Sequence, residues 1–281
     1  MSIEFSVVVP TFRRPQALSE AIGSVLNQVG VTLEVIVVDD SPESSARAVV
    51  KSQADPRVTY LRNPHPTGGF PSVVRNLGFA AARGRFIHFL DDDDIVPAGH
   101  YAAVKSEFEC HPNVGLVFGK IEPFGDHASE KQLGRERLYF AEAARSALLC
   151  RRFGAWFAFA GRQLFDLPLL VCSAGVIRRD CVAEIQGFDP NIRLMEDADF
   201  FARAMRKCGV RFLDRITLHY RIGSPSLMHD PSPAATQVLE QREGRRRMQC
   251  KYRKEHGALE FYSLALFNRL LFGLKTRRGS D

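Results

Sequence analysis

Apolar residues follow two rhythms along the first half of this chain. Continuous, β-branched-rich runs occupy 5–10 (FSVVVP), 33–40 (LEVIVVDD), 57–63 (RVTYLRN), 85–94 (RFIHFLDDDD) and 114–122 (VGLVFGKIE). Between them, 15–28 (PQALSEAIGSVLNQ) and 72–84 (SVVRNLGFAAARG) place apolar positions at helical spacing. Pro15 suits a first helical turn, and Gly84 suits a helix end. Strands that are apolar throughout and separated by helices predict a parallel sheet covered on both faces, an α/β fold. The pattern resumes over 173–209, where a strand, a helix, a turn at Gly187 and a second helix are expected. Residues 123–171, with the only tryptophan, Trp156, are less regular and read as a cover for the sheet or a ligand-binding insertion.

Two of the predicted strands end in acid. Val38 leads into Asp39 and Asp40, and Leu90 leads into Asp91, Asp92, Asp93 and Asp94. Ligands of open α/β sheets bind beyond the carboxyl ends of the strands, so both clusters belong on one rim. Adjacent carboxylates repel, and a pair such as Asp91 and Asp93 suits a hard divalent cation, Mg²⁺ or Mn²⁺, that shares its shell with phosphate oxygens. The plain alternative is a solvated turn capping the next helix. The segment VVDDS (37–41) offers acceptors to a ribose hydroxyl or a base N–H, or else an N-cap and turn. In LMEDADFFARAMR (194–206), Glu196, Asp197 and Asp199 open a helix whose apolar face includes Phe200, Phe201 and Ala204. Acids there are favoured by the helix dipole, and one of them is equally placed to serve as a general base.

Length and composition narrow the class. The 281 residues allow one large α/β domain or two small ones, and 45% hydrophobic with 25% charged residues is ordinary for a soluble globule. No apolar run is long enough to span a bilayer, and the N-terminus lacks the order of a signal peptide. Cys110, Cys150, Cys172, Cys181, Cys208 and Cys250 show no zinc spacing, so reduced, mostly buried thiols of a cytosolic protein are expected. The net charge of +6 is concentrated in 243–257, and 261–278 mixes apolar residues with Arg and Lys. This tail fits peripheral contact with anionic lipid, or a packed C-terminal helix with a solvated basic face. It lacks the interleaved aromatics or motif of a nucleic-acid binder.

Taken together, SVVVPTFRRPQALSEAIGSVLNQ, EVIVVDDSPE, RNLGFAAARGRFIHFLDDDDI and GFDPNIRLMEDADFFARA resemble the family 2 glycosyltransferases, which have the GT-A fold. The resemblance covers roughly residues 5–225. It implies a doubly wound, mostly parallel sheet with a Rossmann-like nucleotide-sugar-binding half at 1–122, an acceptor and catalytic half at 123–230 and a basic amphipathic helical tail at 231–281. It also implies inverting, non-processive transfer of one sugar from a nucleotide-diphosphate donor, UDP by default, to a hydroxyl acceptor that is a glycan or is lipid-linked or protein-linked. Pro10, Thr11, Phe12 and Asp40 match positions of the nucleotide pocket, with Asp39 beside them, and Arg75 matches an arginine near the donor. Asp91, Asp92 and Asp93 match the DXD element. The match implies Asp93 as the first choice of metal ligand, with Asp91 or Asp92 towards ribose and Asp91 also as a metal ligand, and leaves Asp94 to cap the following helix. Asp197 matches the catalytic base, with Glu196 beside it for acceptor positioning. The implied location is the cytoplasm, with the inner membrane face as a peripheral site.

Three departures bear on the reading. Phe12-Arg13 replaces the Tyr-Asn common in the family, keeping an aromatic face and losing a hydroxyl. No QxxRW element follows, which points to single-sugar transfer. Either His219 or His229 occupies a stretch where relatives hold metal, although a lone histidine is more often structural. The runners-up are a nucleotidyltransferase, which lacks here its Gly-rich loop after the first strand, and a non-catalytic nucleotide-sugar-binding subunit, which the intact acids argue against.

Overall fold

The computed structural model describes residues 2–154, 156–166, 168–223 and 234–273. Seven strands form one sheet in the order β3-β2-β1-β4-β6-β5-β7. The first four, β1 (Phe5–Thr11), β2 (Leu33–Asp39), β3 (Val58–Arg62) and β4 (Phe86–Phe89), run parallel. Strand β6 (Gly175–Arg178) lies antiparallel between β4 and β5 (Leu116–Phe124), and β7 (Val210–Arg221) pairs parallel with β5 at the edge. All five strands read from the first half are present, as is the strand near 173. The sheet is therefore the mostly parallel α/β sheet expected, but β5 runs through residue 124 and binds β6 and β7. The halves proposed to meet at 122/123 share one continuous sheet.

The helices follow from their buried faces. Helix α1 (Pro15–Leu26) buries Leu18, Ala21, Ile22 and Val25, the i, i+3, i+4, i+7 stripe. Helices α2 (Arg47–Gln53) and α4 (His100–Cys110) complete the N-terminal crossovers around α3 (Pro71–Ala81). Helix α3 ends three residues before Gly84, because Ala82 is already extended. It lies close on the sheet: a Cβ added to Gly78 would sit 2.2 Å from a Val8 methyl and 3.0 Å from a Val38 methyl. Overpacking of this kind costs about 1–3 kcal/mol. Gly78→Ala is thus expected to lower the denaturation midpoint despite alanine's better helix propensity; an unchanged or raised midpoint would show that the valines yield freely.

The irregular region 123–171 holds two helices, α5 (Glu130–Phe153) and α6 (Trp156–Phe165). Helices α7 (Arg179–Glu184) and α8 (Glu196–Cys208) flank the Gly187 turn. The C-terminal α9 (Ala234–His256) and α10 (Ala258–Phe272) pack on the domain, as the packed-helix alternative expects. Met248, Tyr252 and Leu264 bury themselves with Leu164 of α6 and with Ala198 and Ala202 of α8. Glu260 accepts hydrogen bonds from Arg206 Nε (2.7 Å) and the Tyr252 hydroxyl (2.7 Å), and Lys251 reaches Asp189 and Asp199. These helices belong to the same packed unit as α8.

The cysteine expectation needs correction. Cys181 on α7 and Cys208 on α8 form a disulfide, Cα–Cα 6.0 Å. Folding brings together residues 27 apart in sequence, with no short spacing to announce the pair. Cys150 and Cys172 are free and buried, whereas Cys110 and Cys250 are exposed.

Candidate active site

Register places the acids. β1 pairs with β2 through Thr11↔Asp39, while β4 stops at Phe89, opposite Val8. Leu90 N still bonds Val8 O, and the chain then turns across the top of β1. Asp92 consequently meets the β1 end, accepting 2.6 Å from Thr11 Oγ1. Arg14, the residue before α1, donates one Nη1 to Asp93 (2.7 Å) and Asp92 (3.3 Å). Arg221 of β7 donates Nε to the Asp93 carbonyl and its backbone N–H to Asp94 Oδ1, 2.9 Å. Cations from two distant segments thus offset the repulsion among the adjacent carboxylates.

The offset is incomplete. Burial, then the neighbouring Asp93, pushes the Asp92 carboxyl up to about 7. Burial likewise raises Asp93, against the pull of Arg14, and raises Asp94 further with Asp93 adding to it. Asp94 Oδ2 is buried with no partner. Asp94 does not cap the next helix: α4 starts at His100 behind Gly99, and Asp94 fixes the end of β7 instead.

The acidic turn and the α8 start are joined by one side chain. Arg75, on the buried face of α3, donates Nη2 to Asp91 Oδ1 (2.7 Å) and Nη1 to Glu196 Oε1 (2.9 Å). Its guanidinium lies 5.3 Å from the Phe188 ring centroid. Phe188 stacks on Phe200 at 4.1 Å, and Phe89 meets both edge-on. This aromatic block, spanning the β4 end and α8, seats both acid groups on one support. Met195 enters α8 in a left-handed conformation, φ 69°, which turns Glu196 and Asp197 back toward the rim. Asp197 Oδ1 accepts from the Ala198 N–H, 2.7 Å. Burial, then the charge of Glu196, pushes its carboxyl up to about 7, while burial raises Glu196 against the pull of Arg75.

The second acidic cluster behaves differently. Asp39 is fully buried, and its two oxygens accept from Ser41 N and Oγ, Ala46 N and the Tyr60 hydroxyl. These bonds build the β2–α2 turn. Asp40 accepts from Asn63 Nδ2, from Thr67 N and Oγ1, and from Gly69 N. It clamps the 63–69 loop beside Phe12, whose ring would lie 3.7 Å from a Cβ on Gly69. Pro10 is half-buried at the β1 end. Arg13 is exposed and paired with Glu43. His219 Nδ1 lies 3.1 Å from Glu122 Oε2 on β5, and the His219 backbone pairs with Ile95 just beyond the acidic turn. His229 lies outside the described residues.

Among the described residues, no three His, Cys, Asp or Glu side chains form a ready-made metal cage. The donor set nonetheless suits a divalent cation. The candidate ligands are all carboxylate oxygens, burial and then like charge raise Asp92 and Asp93, and Asp94 Oδ2 accepts no hydrogen bond. The residues that the sequence did not single out are Arg14, Arg221 and Ser173, whose hydroxyl accepts from Asp91 N. Arg14 had one visible signal, its place immediately before a helix-starting proline.

A mostly parallel sheet with both acid groups at its carboxyl rim defines the GT-A class, and solved structures agree. Residues 1–349 of S. aureus TarS in complex with UDP-GlcNAc superpose with a TM-score of 0.67 at 17% identity, covering 96% of this chain and 73% of that one. The sequence profile of glycosyl transferase family 2 matches residues 6–184, and the chain belongs to that family. It is 32% identical over 168 residues to the GalNAc(5)-diNAcBac-PP-undecaprenol beta-1,3-glucosyltransferase of Campylobacter jejuni, covering 58% of this chain and 53% of that protein. It is 36% identical over 121 residues to the Escherichia coli UDP-Glc:alpha-D-GlcNAc-diphosphoundecaprenol beta-1,3-glucosyltransferase WfgD, covering 42% of this chain and 45% of that protein. The chain thus matches about half the length of these two relatives.

Proposed function

We propose that the chain is an inverting glycosyltransferase that moves one sugar from a nucleoside-diphosphate donor, UDP foremost, to a hydroxyl of a lipid-linked glycan. The observation that carries this is Arg75, which bridges Asp91 of the donor turn and Glu196 beside the base. Donor and acceptor groups are thereby held on one rigid support. The named substrates of the two bacterial relatives favour UDP-glucose and a diphosphoundecaprenol-linked acceptor.

In this reading the nucleotide lies along Pro10, Thr11 and Phe12, with Asp40 holding the neighbouring loop, and Asp92 and Asp91 face the ribose and diphosphate. Asp93 and Asp91 would hold Mg²⁺ or Mn²⁺, which when bound would supply positive charge for the diphosphate. Arg14 and Arg75 are the chain's own cations beside that position, and preorganised charge of this kind stabilises a departing anion. Asp197 takes the proton of the acceptor hydroxyl, whose oxygen attacks the anomeric carbon opposite the leaving group. Configuration inverts. Glu196, oriented by Arg75, positions the acceptor and keeps the Asp197 carboxyl basic.

The test is transfer of label from UDP-glucose or UDP-GlcNAc to a diphosphoundecaprenol-linked N-acetylhexosamine, with the anomeric configuration of the product read by NMR. The expected result is one sugar added with inversion. Retention of configuration would refute the base assignment; failure of both donors to transfer would refute the substrate class. Work at the cytoplasmic face of a membrane follows from such an acceptor. Among the described residues no helix is long and apolar enough to cross a membrane, so contact would be peripheral.

A further inference from the structure

The expected solvated basic face is found on α9, where Arg242, Arg246, Arg247, Arg253 and Lys254 are exposed. Helix α10 is different. Leu264 and Phe272 pack inward, yet Leu259, Tyr262, Leu266 and Leu270 lie on the opposite side, 86%, 57%, 58% and 62% exposed. At 100° per residue, Leu259, Leu266 and Leu270 fall on one line along the helix. A surface helix of a soluble domain normally turns polar residues outward, so an apolar outer line marks a contact surface.

The surroundings of that line are basic. Arg269 is exposed on the same face. Arg253 of α9 donates to the Tyr262 hydroxyl at 3.5 Å, which places an exposed cation at the edge of the stripe. Phe153, 46% exposed, meets Phe267 edge-on at 5.6 Å, and Arg152 beside it is exposed. The one acid of α10, Glu260, is turned inward onto Arg206 and Tyr252.

We infer that the outer face of α10 seats the protein on an anionic bilayer, with the leucine line entering the headgroup boundary and the arginines on the lipid phosphates. The 15 residues of α10 span only about 22 Å, too short to cross the hydrocarbon, so the helix lies in the interface plane. A second copy of the chain fits less well, since pairing two such faces would bring Arg253, Arg269 and their symmetry mates together without acids to meet them. This inference rests on the lipid-linked acceptor proposed above. It gives that acceptor a physical route, because a protein held at the surface meets a membrane-bound substrate at high local concentration.

The test is flotation of the full chain with vesicles of phosphatidylcholine alone or of equal parts phosphatidylcholine and phosphatidylglycerol. The wild type is expected to float with the anionic vesicles, less so as salt is raised, and not with the neutral ones. The double variant L266E/L270E, altered only at exposed positions, is expected to lose at least about tenfold in the bound fraction. UDP binding, read as a thermal shift, should be unchanged in that variant. Wild-type protein that stays unbound, or a variant that floats equally well, would overturn the inference. So would a wild-type dimer that becomes a monomer in the variant without any vesicle binding, which would make the stripe an interface between copies. UDP binding is scored separately, so a failed donor site and a failed docking face give different results.

Discussion

Replacing Asp197 with asparagine is expected to lower kcat by roughly 10²–10⁴-fold, the range over which a positioned base contributes. Donor binding should survive, because Asn retains the acceptor for the Ala198 N–H that fixes the side chain. The wild-type pH profile supplies the second half of the prediction. A base must be unprotonated, and the Asp197 carboxyl is pushed up to about 7 by burial and by Glu196. The rate should therefore rise with pH, gaining tenfold per unit below that value and levelling above it. Glu196→Gln keeps an acceptor for Arg75 but removes the like charge, so the rising limb should move to lower pH. If D197N turned over at the wild-type rate, or the Glu196→Gln limb moved to higher pH, the base would lie elsewhere.

Loss of Arg75 should have the largest structural effect of any single change at the rim. Its side chain is 5% exposed, and its buried partner is Glu196, 11% exposed. Removing one partner of a buried pair costs about 3–5 kcal/mol because the other charge remains buried. For Arg75→Ala that corresponds to a fall in midpoint of roughly 10 °C, together with loss of transfer. Arg75→Lys should recover part of the stability and little of the activity, since an ammonium lacks the planar fork that reaches Asp91 and Glu196 at once. A Lys variant with wild-type turnover would mean that the bridge contributes only charge.

Much of this was readable in the sequence, for physical reasons. Strands covered on both faces are mostly apolar, so β1, β2, β4 and the first half of β5 stand out as runs. Acids that follow such runs fall on the rim by the geometry of parallel sheets, which located Asp91–Asp94 without any contact being known. The edge strand β7 was not legible. Its burial is uneven, its pairing with β5 shifts register between Gly119 and Ile121, and VRFLDRITLHYR mixes polar and apolar residues accordingly. The roles of Arg14 and Arg221 were hidden as well, since Arg14 serves a carboxylate 79 residues away and Arg221 a main-chain carbonyl 128 residues away. Asp39 and Asp40 looked alike in sequence, and only the fold separates a turn builder from a loop clamp. The outward leucines of α10 were visible as residues, but which side of the helix met solvent was decided by the packing of Leu264 and Phe272.

The carboxylate rim above β1 and β4 is expected to hold a nucleoside diphosphate. The measurement that tests it most directly is thermal denaturation of the wild type across UDP, dTDP and GDP, each with and without Mn²⁺. A ligand at one hundred times its Kd stabilises by about 2.7 kcal/mol, a clear shift in midpoint. The account predicts such a shift with UDP, larger when Mn²⁺ is present, and its loss in Asp93→Asn. No shift with any of the three nucleotides, at concentrations where a control protein responds, would contradict it and return the acidic turn to a structural role.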